Sequence, residues 1–315
     1  MTMPWSAKCD TYDVAVSTVP LADDTGGTLS LTLRYPHEGK AKAVVIFCHG
    51  LGSSGAAYGG LAEAWVKQGY VVIQPTFADS IFEVARAFPE LGLDPQDEDL
   101  VLWARKPSAI WQKMFQILHD PDYWLDRIRI VNVVMDQLPD LLQRAFAPAA
   151  GLPLAIAGHS FGAYTAQLLA GVEIDLPDGP RNFRDDRFAA ALVLSGQGRD
   201  QQGLRDGSWD DMTGPVLTVT GKQDGGAKGQ DWHWKCEPFD LAPSGGKVLA
   251  VLGDANHYLG GMTPEGVTVP HQFEALSMVT TAFLDAYVRQ RASARNWLAL
   301  VEDRIGNCPV VFSRK

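Results

Sequence analysis

Cysteine is scarce in this chain, and its placement excludes more than its number. Cys9, Cys48, Cys236 and Cys308 are widely separated and form no Cys-x-x-Cys pair. That rules out a zinc finger and a disulfide-dense scaffold. Cys48 lies inside an apolar run and reads as a small buried hydrophobe, while a Cys9–Cys308 bridge tying the two ends together stays open. The sequence holds no unbroken apolar run of about eighteen residues, so nothing in it spans a membrane as a helix. Positive charge is also short, with 27 Lys and Arg against 37 Asp and Glu and a net charge of −10. A nucleic-acid backbone needs clustered cations, so that partner is excluded. The start, Met1-Thr2-Met3-Pro4-Trp5, lacks the charged-then-apolar layout of a secretory signal, which implies a cytoplasmic protein unless a signal was removed. There is no internal repeat and no low-complexity linker.

What is present is the composition of a folded α/β protein, 46% hydrophobic and 20% charged over 315 residues. Residues 12–19 and 29–35 alternate in the manner of half-buried strands, joined by the turn residues of 23–27. Residues 43–48, "AVVIFC", form a continuous β-branched run suited to a strand buried on both faces. Further strands are predicted over 70–76, 152–158, 190–196, 215–221 and 247–253, about eight in all. Helices are predicted over 58–69, 123–146, 161–171 and 271–292. Strand and helix in alternation imply a mostly parallel sheet with helices on both faces, edged by the first two antiparallel strands. The whole of 1–315 reads as a single domain. Its tail, 293–315, is apolar enough to pack on the body or to form a dimer contact.

Residues 77–122 break the alternation, because about 45 residues stand where a short connection is usual. Trp111, Met114, Phe115 and Leu118 fall at i, i+3, i+4 and i+7, on one apolar helix face. The segment is either an extra helical layer or a cap forming one wall of an apolar pocket, and the two are compatible.

Gly158-His159-Ser160-Phe161-Gly162 sits between a predicted strand and a predicted helix. There a serine can be raised on a sharp turn as a nucleophile, with small residues on either side letting strand and helix approach. The Phe161 N–H opens the helix and points at a developing oxyanion. A serine needs a base, and the base an orienting carboxylate, each just beyond a strand end. Asp224 follows the strand 215–221, and His257 follows 247–253, in the order serine, acid, histidine. Asp231 is the rival acid, and Asp254 stands too near His257 in sequence to orient its ring. Residues 47–60, "FCHGLGSSGAAYGG", supply a glycine-rich loop after the third strand, with Leu51 N–H as the second oxyanion donor and His49 as a loop brace. Gly50, Gly52 and Gly55 do not make Gly-x-Gly-x-x-Gly and no Gly-Lys-Ser/Thr follows, so a nucleotide site is excluded. No metal or organic cofactor is required. Trp111, Phe115, Trp232 and Trp234 are the candidate pocket aromatics, for a small-molecule ester with an apolar acyl or aromatic group.

Taken in order, "FCHGLGSS", "GHSFG", "TGKQDG" and "ANHY" resemble the α/β-hydrolase superfamily. Within it, the "HGLG" loop and "GHSFG" resemble the dienelactone-hydrolase-like branch that includes platelet-activating-factor acetylhydrolases and cutinases. The resemblance implies a serine esterase with Ser160, Asp224 and His257 as its triad, and Leu51 and Phe161 as its oxyanion hole. Dienelactone hydrolases proper use cysteine where this chain has Ser160, which favours ester chemistry. The same chemistry would serve a lipase, phospholipase or polyester hydrolase; a serine peptidase, an acyltransferase and a non-catalytic binding protein are the remoter alternatives.

Overall fold

The computed structural model describes residues 5, 11–38, 41–145, 151–264 and 266–315. The edge strands β1 (Val14–Ala22) and β2 (Thr28–Pro36) pair antiparallel, and β2 pairs antiparallel with β4 (Tyr70–Pro75). From there the sheet is parallel through β3 (Ala43–Cys48), β5 (Leu154–His159), β8 (Phe188–Leu194), β9 (Val216–Thr220) and β10 (Lys247–Leu252). Every residue of β3, β4, β9 and β10 is buried, which is why these segments read as unbroken apolar runs instead of alternating ones. Two short strands, β6 (Glu173–Leu176) and β7 (Gly179–Asn182), form a separate hairpin.

Among the described residues the sheet has ten strands, not about eight. The extra pair comes from the tail. After a helix at Ala292–Leu300, β11 (Arg304–Ile305) turns through Gly306-Asn307 into β12 (Cys308–Arg314), which adds antiparallel to β10. The tail therefore packs on the body as part of the sheet. Cys308 carries a free, buried thiol, and Cys9 lies outside the described residues.

Helices cover both faces. The first, α1 (Gly59–Val66), joins α8 (Pro270–Tyr287) and α9 (Ala292–Leu300) on one face, where Leu61, Trp65, Leu276 and Phe283 pack with the strands. On the other lie α4 (Pro121–Asp136), α5 (Leu138–Ala145) and α6 (Phe161–Leu169). The sequence anticipates one helix over 123–146. Pro139 divides it, because proline lacks an amide hydrogen and restricts the residue before it, so it is accommodated only in a first turn. Among the described residues, no helix is long and apolar enough to cross a membrane.

Residues 81–118 form the insertion: α2 (Ile81–Ala87), two 3₁₀ segments and α3 (Ser108–Leu118). It has its own small core of Ile81, Val84, Leu100, Ile110, Met114 and Ile117. The short α7 (Glu237–Asp240) follows a 3₁₀ turn, Trp232–Cys236, beside β9 and β10.

Candidate active site

The chain order places the site. After β3 the strands proceed outward to β4, then return to the other side of β3 for β5. A crevice opens beyond the strand ends at such a reversal. Cys48 is paired in register with Gly158, so the glycine-rich loop after β3 stands beside the turn after β5. Ser160 occupies that turn at φ 54°, ψ −117°, a left-handed φ that a non-glycine residue holds only under constraint. Its N–H donates to the Leu194 carbonyl at 2.9 Å, and its own carbonyl accepts from Ala163 and Tyr164. The two flanking glycines are sterically required. A Cβ on Gly158 would collide with the Gly162 carbonyl, and one on Gly162 with the backbone of Cys48 in β3.

Asp224 and His257 come together by the same logic. The neighbouring residues Gln223 and Asn256 form a parallel bridge, which sets the loops after β9 and β10 side by side. His257 Nδ1 lies 3.0 Å from Asp224 Oδ1, the geometry in which Nδ1–H donates to the carboxylate and Nε2 is left free. Three further groups hold the acid, none singled out by the sequence. Ser195 Oγ donates to Asp224 Oδ1 at 2.9 Å and lies 2.8 Å from His257 Nδ1. Thr220 Oγ1 donates to Asp224 Oδ2 at 2.8 Å, and Lys235 Nζ stands 4.0 Å from Oδ1. Burial works to raise the Asp224 carboxyl. The His257 hydrogen bond, the Lys235 charge and the Ser195 hydrogen bond outweigh it, holding the group well below the usual carboxylate range.

The rival acid is elsewhere. Asp231 is 70% exposed, accepts from the His233 N–H at the start of its 3₁₀ turn, and pairs with the His233 ring.

The glycine-rich loop is fastened on several sides. His49 Nε2 accepts from the Phe77 N–H at 3.0 Å, and Nδ1–H donates to the Gly50 carbonyl at 2.8 Å. Burial, then the nearby Arg127 charge, pushes that imidazole down to about 4, so it stays neutral. Arg127 donates to the His49 carbonyl and makes a two-pronged ion pair with Asp79 at 2.8 and 2.7 Å. Gly52 N–H donates to the Asp79 carbonyl and its own carbonyl accepts from Ile81. Among the described residues no backbone hydrogen bond engages the Leu51 N–H, and the Phe161 N–H is in the first helical position, where no intrahelical acceptor exists. His159 links this loop to the histidine loop. Its Nε2–H donates to the His257 carbonyl at 2.8 Å, and its Nδ1 accepts from Tyr58 at 3.1 Å, whose hydroxyl in turn accepts from Gly50 N–H. Burial, then the neighbouring His257, pushes His159 down to about 3.

Ser160, His257, Leu51 and Lys235 all line one cavity of about 420 Å³. Trp111, Phe115 and Trp234 line it too, with Phe82 and Trp103 from the insertion. The predicted apolar face of α3 divides in two. Met114 goes into the insertion's core with Ile110 and Ile117, while Trp111, Phe115 and Leu118 face the cavity as the adjacent stripe. Trp232 is placed away from the cavity: its ring stacks on His233, and it packs against Cys236, Phe239, Leu249 and Val251. Within the 3₁₀ turn, residues two apart point in different directions, so Trp234 and Trp232 part company.

No family model matches the chain, and no curated protein matches it in sequence. Among solved structures it is similar to a cold-adapted esterase from an Arctic intertidal metagenomic library, determined as a polyethylene-glycol-bound complex. The similarity covers 91% of this chain and 100% of that one, with a TM-score of 0.54 and 16% identity. At that identity the likeness speaks for the fold alone, an α/β architecture with a large, mostly parallel sheet and helices on both faces.

Proposed function

We propose that the protein is a serine carboxylic-ester hydrolase. The observation that carries this reading is the strained turn at Ser160, opening into the cavity that His257 lines, with Asp224 hydrogen-bonded behind the imidazole. In this reading Ser160 Oγ attacks the ester carbonyl while His257 Nε2 takes its proton. Asp224 fixes the tautomer with hydrogen on Nδ1 and stabilises the imidazolium as it forms. The Leu51 and Phe161 N–H groups hold the oxyanion of the tetrahedral intermediate. His257 then protonates the departing alcohol, and water activated by the same ring releases the acid from Ser160. Every step uses side chains, backbone amides and water, so no cofactor is invoked.

Support comes also from the neighbour in fold, itself an esterase, and from the resemblance of the "HGLG" and "GHSFG" motifs to dienelactone-hydrolase-like serine esterases. The insertion belongs in this reading to a single domain, as a cap whose aromatic residues line the cavity. Walls of Trp103, Trp111, Phe115 and Trp234 around about 420 Å³ suit a small ester with an apolar or aromatic group better than a polymer strand. The test is fluorophosphonate labelling together with turnover of p-nitrophenyl esters of increasing acyl length. The wild type is expected to label once, at Ser160, and to prefer short and medium acyl groups. Ser160→Ala should abolish labelling and lower turnover on the order of 10⁴- to 10⁶-fold with an unchanged circular dichroism spectrum. A clean preparation of that variant keeping more than a few per cent of activity would end the covalent reading.

A further inference from the structure

Lys235 is an unusual residue to find at the end of a cavity: a lysine only 3% exposed. A buried ammonium is costly unless it is paired and hydrogen-bonded. Its Nζ donates to the Ser195 carbonyl at 3.2 Å, stands 4.0 Å from Asp224 Oδ1 and lies 5.1 Å from the centre of the Trp234 ring. Asp224 itself is wholly buried. When His257 is neutral, Lys235 is the formal positive charge facing that carboxylate.

The other ionisable groups around His257 leave this role unfilled. His159, its ring tilted against His257 at 4.8 Å between centres, is held neutral chiefly by burial. Tyr258 meets the ring edge-on at 5.7 Å and brings a phenol, not a cation. On the segment that carries Lys235, Asp231 is turned outward to His233, and Glu237 is engaged by Arg199 at 3.0 Å. The local charge is thus set by Asp224, Lys235 and the proton on His257. A cation held beside the acid has two effects. It favours the carboxylate over the carboxylic acid, and it opposes formation of a second cation on the imidazole. Burial, the larger effect, pulls the Lys235 ammonium below the usual lysine range, and the Asp224 charge opposes that fall.

We propose that Lys235 is a positioning residue whose buried ammonium holds Asp224 ionised and keeps His257 neutral, and so able to accept a proton, down to more acidic pH. The proposal rests on the assignment of Ser160, His257 and Asp224 to ester hydrolysis, and its test is readable apart from that assignment.

Lys235→Met removes the charge and the hydrogen bond, Lys235→Gln removes the charge but can still donate to the Ser195 carbonyl, and Lys235→Arg keeps a cation. Two readouts are needed: the pH profile of kcat/KM on a short p-nitrophenyl ester, and the titration of the His257 imidazole followed by nitrogen NMR. Losing a buried unit charge 4.0 Å from the carboxylate that faces the imidazole should move the acid limb of the profile and the imidazole midpoint upward together, by about one pH unit. The arginine variant should stay within about a few tenths. A purely packing role would change the plateau activity and leave both midpoints in place, and that result in a folded Met or Gln variant overturns the proposal. The wild-type protein provides a check without any variant, because the Lys235 Nζ signal must be that of an ammonium at neutral pH. A neutral amine there overturns it equally. If the wild type hydrolyses no ester, the functional reading fails, while the imidazole titration still decides whether Lys235 sets the charge on His257.

Discussion

Two buried ion pairs lie on opposite sides of Ser160, and they are built differently. Under the glycine-rich loop, Arg127 grips Asp79 through two hydrogen bonds at 2.8 and 2.7 Å, with both side chains 1% exposed. On the acid side, Lys235 and Asp224 stand 4.0 Å apart, and the carboxylate gives its shorter bonds to Ser195, Thr220 and His257. A guanidinium fork occupies both oxygens of a carboxylate at once and fixes its plane. That suits Asp79, whose backbone carbonyl must hold Gly52 in place. An ammonium at longer range compensates charge without taking up the oxygens, which leaves Asp224 free to orient an imidazole. The Arg127 pair is a clamp, and the Lys235 pair is a counter-charge.

The comparison can be broken on the acid side first. Asp224→Asn should cut turnover by roughly 10⁴-fold with little change in substrate KM, because an amide favours the wrong imidazole tautomer. The matching Asp231→Asn should cost no more than about tenfold, since that carboxylate only caps a surface turn. Assaying both on one activated ester checks the pair, and the reverse ranking would move the acid role to Asp231. On the clamp side the damage should fall on stability. Arg127→Met leaves Asp79 charged and alone in the interior, expected to cost about 3–5 kcal/mol in urea unfolding, and the surviving folded fraction should have a loosened glycine-rich loop and lower turnover. The smallest effect should come from the cavity wall. Trp111 is 41% exposed, so Trp111→Ala should leave the unfolding midpoint almost unmoved. It should alter kcat/KM by only several-fold, and unequally for short and long acyl esters. An equal change across the acyl series would remove Trp111 from the substrate path.

Much of this arrangement was legible from local pattern. The parallel strands announced themselves because burial on both faces demands unbroken apolar runs, and the serine turn because close packing demands glycines at 158 and 162. The residues around Asp224 carry no such mark. Ser195 and Lys235 reach it from strand-end and turn positions 29 residues before and 11 after, and nothing local requires a serine or lysine there. The tail carries a local signal of its own. Gly306-Asn307 between short β-prone segments is a hairpin turn, and "PVVFSR" after it supplies the strand. Trp232 and Trp234 were indistinguishable in sequence because aromatic composition does not reveal which way a 3₁₀ turn faces.

The insertion's private core has a consequence for how such a protein can change over generations. Ile81, Val84, Leu100, Ile110, Met114 and Ile117 pack mainly among themselves, and Leu51 and Tyr123 touch both that cluster and the main one. Substitutions and length changes in the insertion can therefore accumulate with little strain on the sheet that carries Ser160, Asp224 and His257. Under the proposed function, substrate range can drift while the reacting groups stay still. Leu51 is the exception, since its side chain packs against both cores and the residue lines the cavity. It is the position where inheritance of a new pocket and preservation of the old chemistry have to agree.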